Sequence, residues 1–221
     1  SEFNIGKAFE NSKNQSSVKV ITKLSPDVNY TDPKIVIDSV YASLKRLKLK
    51  TLYGFLAHRF EAINDVYFAE SLQILKKKKL IQHSGVSVYS PEEAIEAINL
   101  DYVDIIQIPF NIFDKRWLEK GVFDLALSEK KTIFTRSIFL QGLLLMSEED
   151  LKEKKMDWAV EYLRQFNYLV SRTPYSLKEL TFHAIANLPN KVIAVIGLEK
   201  LEQLQQNLNI INNVKVNDNI I

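Results

Sequence analysis

Six short β-rich runs of the chain each end in a polar or small residue whose type could take part in chemistry. A lysine carries a cation, a histidine can move a proton or bind a metal, and serine and glutamine side chains hydrogen-bond amide groups. Because the carboxyl ends of parallel strands meet at one side of a sheet, we expect these side chains to form a single active centre. They are Lys23, His58, Ser87, Gln107, Arg136 with Ser137, and Gly197.

Each of these residues also has a structural interpretation. A lysine that ends a strand is more often a solvated side chain, and His58, after the apolar run LYGFLA, could be a hydrogen-bonded histidine. Gln107 is harder to explain in this way, because a buried amide is unfavourable without a hydrogen-bonding partner. His83 and His183 are interpreted as structural, since no residue pairs with either at metal-ligand spacing, and no metal site is expected.

The elements that must position these residues alternate between strands and helices. β-Branched runs predict strands, and longer amphipathic segments predict helices, two of which begin at a proline. The predicted strands are residues 17–24, 51–58, 83–89, 103–110, 131–137 and 191–197. The predicted helices are residues 1–11, 33–47, 65–79, 90–98, 114–128, a region from 148 to 188 broken near Pro174, and a final helix from 199.

Strands separated by helices imply a parallel sheet covered by helices, as an open doubly wound sheet or a closed (β/α)8 barrel. The chain lacks GxGxxG after the first strand and GxxxxGK[ST] anywhere, so the usual Rossmann and P-loop signatures are missing. No compositional break divides residues 1–221, which we interpret as one domain. Since a complete barrel has eight strands and about 250 residues, six strands predict a TIM barrel with about six of its eight βα units present.

Composition restricts the partners. With 25% charged residues and a formal net charge of +2, the chain has no basic excess that would indicate nucleic acid as the main partner. The KKKK run at 76–79 is interpreted as a solvated helix end. The absence of cysteine excludes disulfides and thiol chemistry. Together with the lack of a membrane-spanning stretch or signal peptide, it predicts a soluble, cytoplasmic protein.

Six segments, in order, resemble successive segments of the aldo-keto reductases. They are VITKL, LYGFLAH, SGVSVYSPEEA, DIIQIPFNIFD, RSIFLQGLLL and VIGLEKLEQLQQNL, and the resemblance runs from residue 1 to about residue 211. It implies a TIM barrel that transfers hydride between NADPH or NADH and the carbonyl or alcohol of a small-molecule substrate. It implies neither a metal nor a flavin.

The resemblance gives catalytic roles to Lys23 and His58. In the family, the lysine lies beside a tyrosine, and the histidine at the next strand end faces the substrate carbonyl. A nearby ammonium lowers the pKa of the tyrosine, which makes the phenol a better proton donor as hydride arrives. Lys23 is therefore expected to tune the acid, and His58 to orient the carbonyl.

The resemblance also assigns residues to the cofactor. Ser87 and Gln107 are expected to hold the nicotinamide amide, with Asn111 near them. The RSIFLQGLL segment is similar to the one that passes the nicotinamide and pyrophosphate, and GLEKLEQLQQN is similar to the adenosine end. The residues of these two segments that match family positions are Arg136, Ser137, Gly142, Gly197, Gln203 and Asn207.

Three departures from the family bear on the cofactor. Val88 stands where the family usually has asparagine, which removes one amide from the nicotinamide site. Arg136 stands where many members place an aromatic ring on the nicotinamide, although some branches have arginine. Glu199, with Lys200 beside it, occupies a position where a basic residue is often found near the 2′-phosphate of NADPH. Because an acidic side chain repels that phosphate, the cofactor is left open between NADPH and NADH.

The family's proton-donating tyrosine and its aspartate partner are expected upstream of Ser1, so the chain is interpreted as N-terminally incomplete. Six strands would leave two exposed sheet edges, which predicts self-association. One alternative is a catalytically inactive nucleotide-sensing or scaffolding relative. Another is a phosphate-binding TIM-barrel enzyme of a different class, which would require glycine-rich loops after the last two strands, where only QGLL and Gly197 are similar. The sequence does not predict the substrate or the direction of reaction.

Overall fold

A computed structural model describes residues 1–10, 12, 17–189 and 192–214, and it divides the chain into two units. Unit 1 contains Ser1–Ile108 and Leu125–Ile133, and unit 2 contains Pro109–Asp124 and Phe134–Ile221. The interpretation of residues 1–221 as one domain stays a prediction. Residue 191, where the last predicted strand begins, lies outside the described residues.

The described residues contain six parallel strands in one sheet, in the order β1-β2-β3-β4-β5-β6. The strands are β1 Ile21–Lys23, β2 Leu52–Ala57, β3 Ile81–Ser87, β4 Ile105–Pro109, β5 Thr132–Arg136 and β6 Val192–Ala194. Helices connect successive strands, as parallel pairing requires. The predicted alternation of strands and helices is therefore confirmed.

The helices begin where the sequence supplies capping residues. Asp32 and Ser90 accept hydrogen bonds from the first turns of two helices that start at Pro33 and Pro91. No described helix has both the length and the apolar character needed to cross a membrane. The helices are α1 Glu2–Glu10, α2 Pro33–Leu47, α3 Val66–Lys77, α4 Pro91–Ile98, α5 Arg116–Glu119, α6 Val122–Ser128, α7 Glu148–Glu153, α8 Val160–Ser171, α9 Leu177–Ala186 and α10 Leu201–Asn213, with 3₁₀ segments at Phe60–Asn64, Leu140–Leu145 and Asp157–Ala159.

Several predicted boundaries are wrong. The single helix expected at 114–128 is two helices, α5 and α6, because the chain turns at Gly121, whose φ of 66° is left-handed. The region 148–188 is broken near Pro174 as predicted, and it is also broken after α7, where Lys155 has a φ of 56°. The strand expected at 17–24 is shorter, since β1 pairs with β2 over only three residues.

Unit 1 is built on β1 to β4, and the pairing register sets the relative height of their carboxyl ends. Lys23 lies opposite Leu56, and Ser87 lies opposite Gln107. The side chains of β2 are almost all buried, with Phe55 and Leu56 each 1% exposed. Near-continuous apolar runs are typical of parallel strands covered on both faces, which explains the LYGFLA segment.

Helix α1 is held against β1 and α2 by the Glu2 carboxylate. Thr22 Oγ1 donates to one oxygen at 2.7 Å, and Arg46 Nε donates to the other at 2.6 Å. Burial acts to raise the pKa of Glu2, but these hydrogen bonds outweigh it and hold the pKa below its usual value. Gly6 allows the close approach of the two helices, because a Cβ there would overlap the carbonyl oxygen of Arg46.

Two lysine side chains form hydrogen bonds near the amino ends of the central strands. Lys76 Nζ donates to Asp104 Oδ2 at 2.6 Å, and the same oxygen accepts from the backbone N–H of Ser84 at 2.9 Å. Lys131 Nζ donates to two carbonyl oxygens just before β4, at 2.9 and 2.8 Å. Lys76 thus has a structural role, and the interpretation of the whole KKKK run as a solvated helix end is wrong for this residue.

Unit 2 has its own small core. Leu151, Ala159 and Leu163, from α7, the 3₁₀ segment and α8, are each at most 3% exposed and form one cluster. The rings of Phe139 and Phe182 meet edge to face, with centroids 5.8 Å apart. This contact packs the segment after β5 against α9.

Candidate active site

The strand ends of unit 1 bring together two predicted site residues in a direct hydrogen bond. Lys23 Nζ, at the last residue of β1, donates to Gln107 Oε1, in β4, at 3.0 Å. Gln107 is buried, at 8% exposure, and Ser87 beside it in the register is 2% exposed. The bond supplies the partner that a buried glutamine was expected to have.

The Lys23–Gln107 contact also shows that the sheet of unit 1 is strongly curved. Two strands, β2 and β3, lie between β1 and β4 in the sheet order. In a flat sheet the outer two strands would be about 14 Å apart, since neighbouring strands are spaced by about 4.8 Å. Side chains stand roughly perpendicular to the sheet, so a hydrogen bond across that gap requires the strands to curl toward one another.

His58 directly follows β2, as predicted. It lines, with Leu24, Tyr30 and Ala62, a cavity of about 10 Å³. Such a space holds at most one water molecule, so a substrate carbonyl would have to approach His58 from outside this cavity. The expected role of His58 toward a substrate therefore stays a prediction.

Unit 2 contains a cavity of about 570 Å³, a size typical of small-molecule sites. It is formed by the segment after β5, the residues after β6, and the first half of α10. Five residues that the sequence assigned to the cofactor line it, which are Ser137, Gly142, Gly197, Gln203 and Asn207.

One wall of this cavity has an unusual backbone. Ser137, Leu140 and Gln141 have left-handed φ values of 61°, 49° and 56°, and Gly142 follows at 92°. Each non-glycine residue in this conformation costs about 1–2 kcal/mol, and such costs are concentrated at functional sites. Mixed right- and left-handed backbone also forms the concavities that bind anions through successive N–H groups.

The opposite wall is the start of α10. Gln203 Oε1 accepts from the backbone N–H of Glu199 at 2.9 Å and of Lys200 at 3.3 Å, so this carbonyl caps the helix and leaves only Nε2 to donate to a ligand. Asn207, one turn further on, is 7% exposed, and its Oδ1 atom is buried without a hydrogen-bonding partner among the described residues. A buried carbonyl oxygen without a donor is unfavourable unless something binds there.

Two charged residues of the cavity act in opposite directions on a phosphate. Glu199 and Lys178 of α9 both line the cavity. Lys178 Nζ donates to Gln206 Oε1 at 3.3 Å. Nothing in the sequence around Lys178 singles it out, because it reaches the cavity through the packing of α9 and α10.

Two other predicted residues lie elsewhere. Arg136 ends β5, where its carbonyl accepts from Phe110 N–H at 3.0 Å, and it is not part of the described cavity lining. Asn111 lies in a separate open groove of about 480 Å³, and its Oδ1 accepts from the backbone N–H of Phe113 at 3.0 Å. In that groove, Arg116 hydrogen-bonds Asp114 and lowers the pKa of the carboxyl against the opposing effect of burial.

No cluster of histidine, cysteine, aspartate or glutamate suited to a metal occurs among the residues that the structure describes.

The model of the Aldo/keto reductase family matches residues 1–220. The chain belongs to the aldo/keto reductase family. Membership implies an oxidoreductase that uses NAD(P)H and acts on small carbonyl compounds. No curated protein matches the chain in sequence.

Solved structures of other aldo-keto reductases share the fold. Aldo-keto reductase AKR11C1 from Bacillus halodurans, in its holo form, matches with a TM-score of 0.71 at 22% identity over 95% of this chain and 71% of that one. Its apo form matches with a TM-score of 0.75, at 22% identity over 95% and 70%. The thermostable aldo-keto reductase Tm1743, in complex with the inhibitor epalrestat, matches at 0.71, with 20% identity over 98% and 73%. This aldo/keto reductase thus has the family's TIM-barrel fold class, with six parallel strands in one sheet.

Proposed function

We propose that the protein is an NAD(P)H-dependent oxidoreductase that transfers hydride between a nicotinamide and a small carbonyl or alcohol substrate. When bound, the nicotinamide supplies or accepts the hydride. Family membership supports the class of reaction, and the residues of this chain support the binding of the nucleotide.

The unit 2 cavity is proposed to bind the adenosine and phosphate portion. The observation that carries this proposal is Asn207 Oδ1, a buried acceptor without a donor that lines a cavity of ligand size. The exocyclic amino group of adenine is a donor of the kind that this oxygen lacks. The left-handed backbone at Ser137 and Gly142 supports phosphate binding, since such segments aim N–H groups at anions.

The strand ends of unit 1 are proposed to act on the nicotinamide and the substrate. Ser87 and Gln107 would hydrogen-bond the nicotinamide amide, and His58 would orient the substrate carbonyl. Lys23 would lower the pKa of the proton-donating tyrosine that the family uses. An ammonium has three N–H donors, so the bond to Gln107 is compatible with this second role.

The cofactor is proposed to be NADPH or NADH. Lys178 would favour the 2′-phosphate of NADPH, whereas Glu199 would repel it. Titration with 2′,5′-ADP and with ADP measures the preference directly, because the two ligands differ only in how the second phosphate is placed. Tighter binding of 2′,5′-ADP, lost in Lys178→Met, would identify NADPH as the cofactor.

The test of the proposed function is a binding and turnover assay on the whole protein. NADPH and NADH are titrated by quenching of protein fluorescence, and oxidation is followed at 340 nm with a panel of aldehydes and ketones. Binding followed by aldehyde-dependent oxidation is expected. Binding without oxidation would favour the inactive nucleotide-sensing alternative, and no binding of either dinucleotide would refute both.

Self-association is proposed through the exposed face of α10. Leu201, Leu204, Leu208 and Ile211 are 38–64% exposed and follow the three-four spacing of helix pairs. Most of the residues beside them are neutral glutamines and asparagines, and the charged neighbours Lys200 and Glu202 flank only Leu201. Light scattering should show that the wild-type protein is a dimer. Leu208→Lys should dissociate the dimer, whereas the control Asn209→Lys should not. A monomeric wild-type protein would contradict this proposal.

A further inference from the structure

The helix ends at the amino side of the unit 1 sheet carry an excess of positive charge. In a parallel sheet, the last turn of each helix and the segment after it lead to the amino end of the next strand, so these parts lie on one side of the sheet. Among the described residues of unit 1, they contain twelve basic and five acidic side chains. The whole chain has a formal net charge of only +2, so its positive charge is concentrated on this side.

Half of these basic side chains are engaged by the protein itself. Four form ion pairs or hydrogen bonds, and two lie over aromatic rings. The other six are exposed, and no acidic side chain pairs with them among the described residues. We call these six the lysine face, which consists of Lys45, Lys50, Lys77, Lys78, Lys79 and Lys130.

The helix dipole explains only part of this clustering. A cation near the carboxyl end of a helix is favourable, which accounts for one or two lysines in each helix. Helices α2 and α3 pack against each other, and packed helix axes lie about 8–10 Å apart. That distance is close to the Debye length of about 8 Å at physiological ionic strength, so lysines at the two ends repel one another. The arrangement is therefore unfavourable in the isolated protein and becomes favourable against a negatively charged surface.

We propose that the lysine face binds the surface of a membrane that contains anionic phospholipids. Clusters of about four to eight basic residues are typical of sites for anionic lipid head groups. All six residues are lysines, whereas arginine is the residue that makes the bidentate phosphate contacts favoured in nucleic-acid recognition. Exposed apolar side chains also occur in the same segments, since Val18 is 50% and Leu127 is 54% exposed, and such groups can enter the head-group region.

The lysine face and the candidate active site lie at opposite ends of the unit 1 strands. Lys23, Ser87 and Gln107 are at the carboxyl ends, so a membrane at the amino ends leaves them uncovered. The inference is consequently independent of the proposed function, and either can fail without the other.

The first test is sedimentation of the whole protein with lipid vesicles. One set contains equal parts of phosphatidylcholine and phosphatidylserine, and the other contains phosphatidylcholine alone. We expect binding to the mixed vesicles only, and release in 1 M NaCl, where the Debye length is about 3 Å. Absence of binding to the mixed vesicles at low salt would overturn the proposal, as would equal binding to both sets.

The second test removes three charges from the lysine face. The triple variant carries Lys50→Gln, Lys77→Gln and Lys78→Gln, which lie at two different helix ends. Each lysine near an anionic membrane contributes about 5-fold to affinity, so the variant should bind the mixed vesicles about 100-fold more weakly. Thermal unfolding should show that it remains folded, because all three side chains are exposed.

A matched control makes the same change in net charge elsewhere. Three exposed lysines of unit 2 are replaced, in the triple variant Lys152→Gln, Lys154→Gln and Lys155→Gln. It should retain most of the affinity for mixed vesicles. An equal loss in both triple variants would show that binding follows net charge alone and would refute the lysine face as the site.

Duplex DNA of random sequence, titrated at the same salt concentration, tests the other common polyanion. We expect weaker binding to DNA than to the mixed vesicles. Tighter binding to DNA that is lost in the lysine-face variant would assign this surface to nucleic acid, and the membrane proposal would be wrong.

Discussion

Replacing Asn207 by leucine should stabilise the protein and weaken nucleotide binding at the same time. Asn207 lies on α10 with its Oδ1 atom buried and lacking a donor among the described residues. Leucine has a similar size, adds no polar atom and is a better helix former. The substitution therefore removes an unsatisfied acceptor from the folded state together with the group proposed to bind adenine.

The expected changes in stability and in nucleotide affinity both come from the loss of Asn207 Oδ1. An unsatisfied buried polar group costs about 1–3 kcal/mol, which Asn207→Leu should recover in part. In a chain of this length, each kcal/mol corresponds to a shift of about 2–4 °C in Tm. Loss of one hydrogen bond to the ligand should weaken ADP or 2′,5′-ADP binding by about 2- to 13-fold.

The assay pairs thermal unfolding without ligand with calorimetric titration of ADP and 2′,5′-ADP. Asn209→Leu is the matched control, because it makes the same substitution in the same helix at an exposed position. It should change the free energy of unfolding only by the difference in helix propensity, a few tenths of a kcal/mol, and the shift in Tm should be correspondingly small. Nucleotide binding should be unchanged. If Asn207→Leu lowers Tm and leaves ADP affinity intact, Asn207 is a packing residue and the adenosine site lies elsewhere.

Three further predictions concern stability. The pKa of Glu2 is lowered in the folded protein, so its carboxylate adds to the free energy of unfolding above the usual glutamate pKa, and this stabilisation is lost as pH falls below about 4.3. Urea unfolding measured against pH should show the loss in wild type and not in Glu2→Gln. Gly6→Ala should destabilise by about 1–3 kcal/mol in denaturant, although alanine normally stabilises a helix, because its Cβ would overlap the Arg46 carbonyl oxygen. Gly142→Ala should cost about 1–2 kcal/mol of unfolding free energy, since φ there is 92°; no loss would show that the segment relaxes.

Local signals predicted much of the fold. Helix α2 runs from Pro33 to Leu47 as expected, because a proline at the first turn and a regular apolar spacing mark a helix independently of its surroundings. The order of strands and helices could be predicted for the same reason. The length of β1 could not, because it is set by pairing with β2, which covers only three residues although β2 itself has six.

The candidate site was predictable in its residue types but not in its contacts. Family resemblance identified Gln203 and Asn207, yet the sequence does not show that one amide caps α10 while the other lacks a donor. Lys178 was missed altogether, since only the packing of α9 brings it to the cavity. Likewise, the bond from Lys23 to Gln107 joins residues 84 positions apart and depends on the curvature of the sheet.

The lysine contacts at the amino ends of the unit 1 strands have a consequence for how the protein can change. Lys76 with Asp104, and Lys131 with its two carbonyl partners, stabilise one end of the strands, whereas Lys23, Ser87 and Gln107 lie at the other. Mutations at the carboxyl ends of the strands thus leave the hydrogen bonds of Lys76 and Lys131 intact. A library that randomises the loops at the carboxyl ends should yield mostly folded proteins, so that new substrate preferences can be selected without first restoring the scaffold.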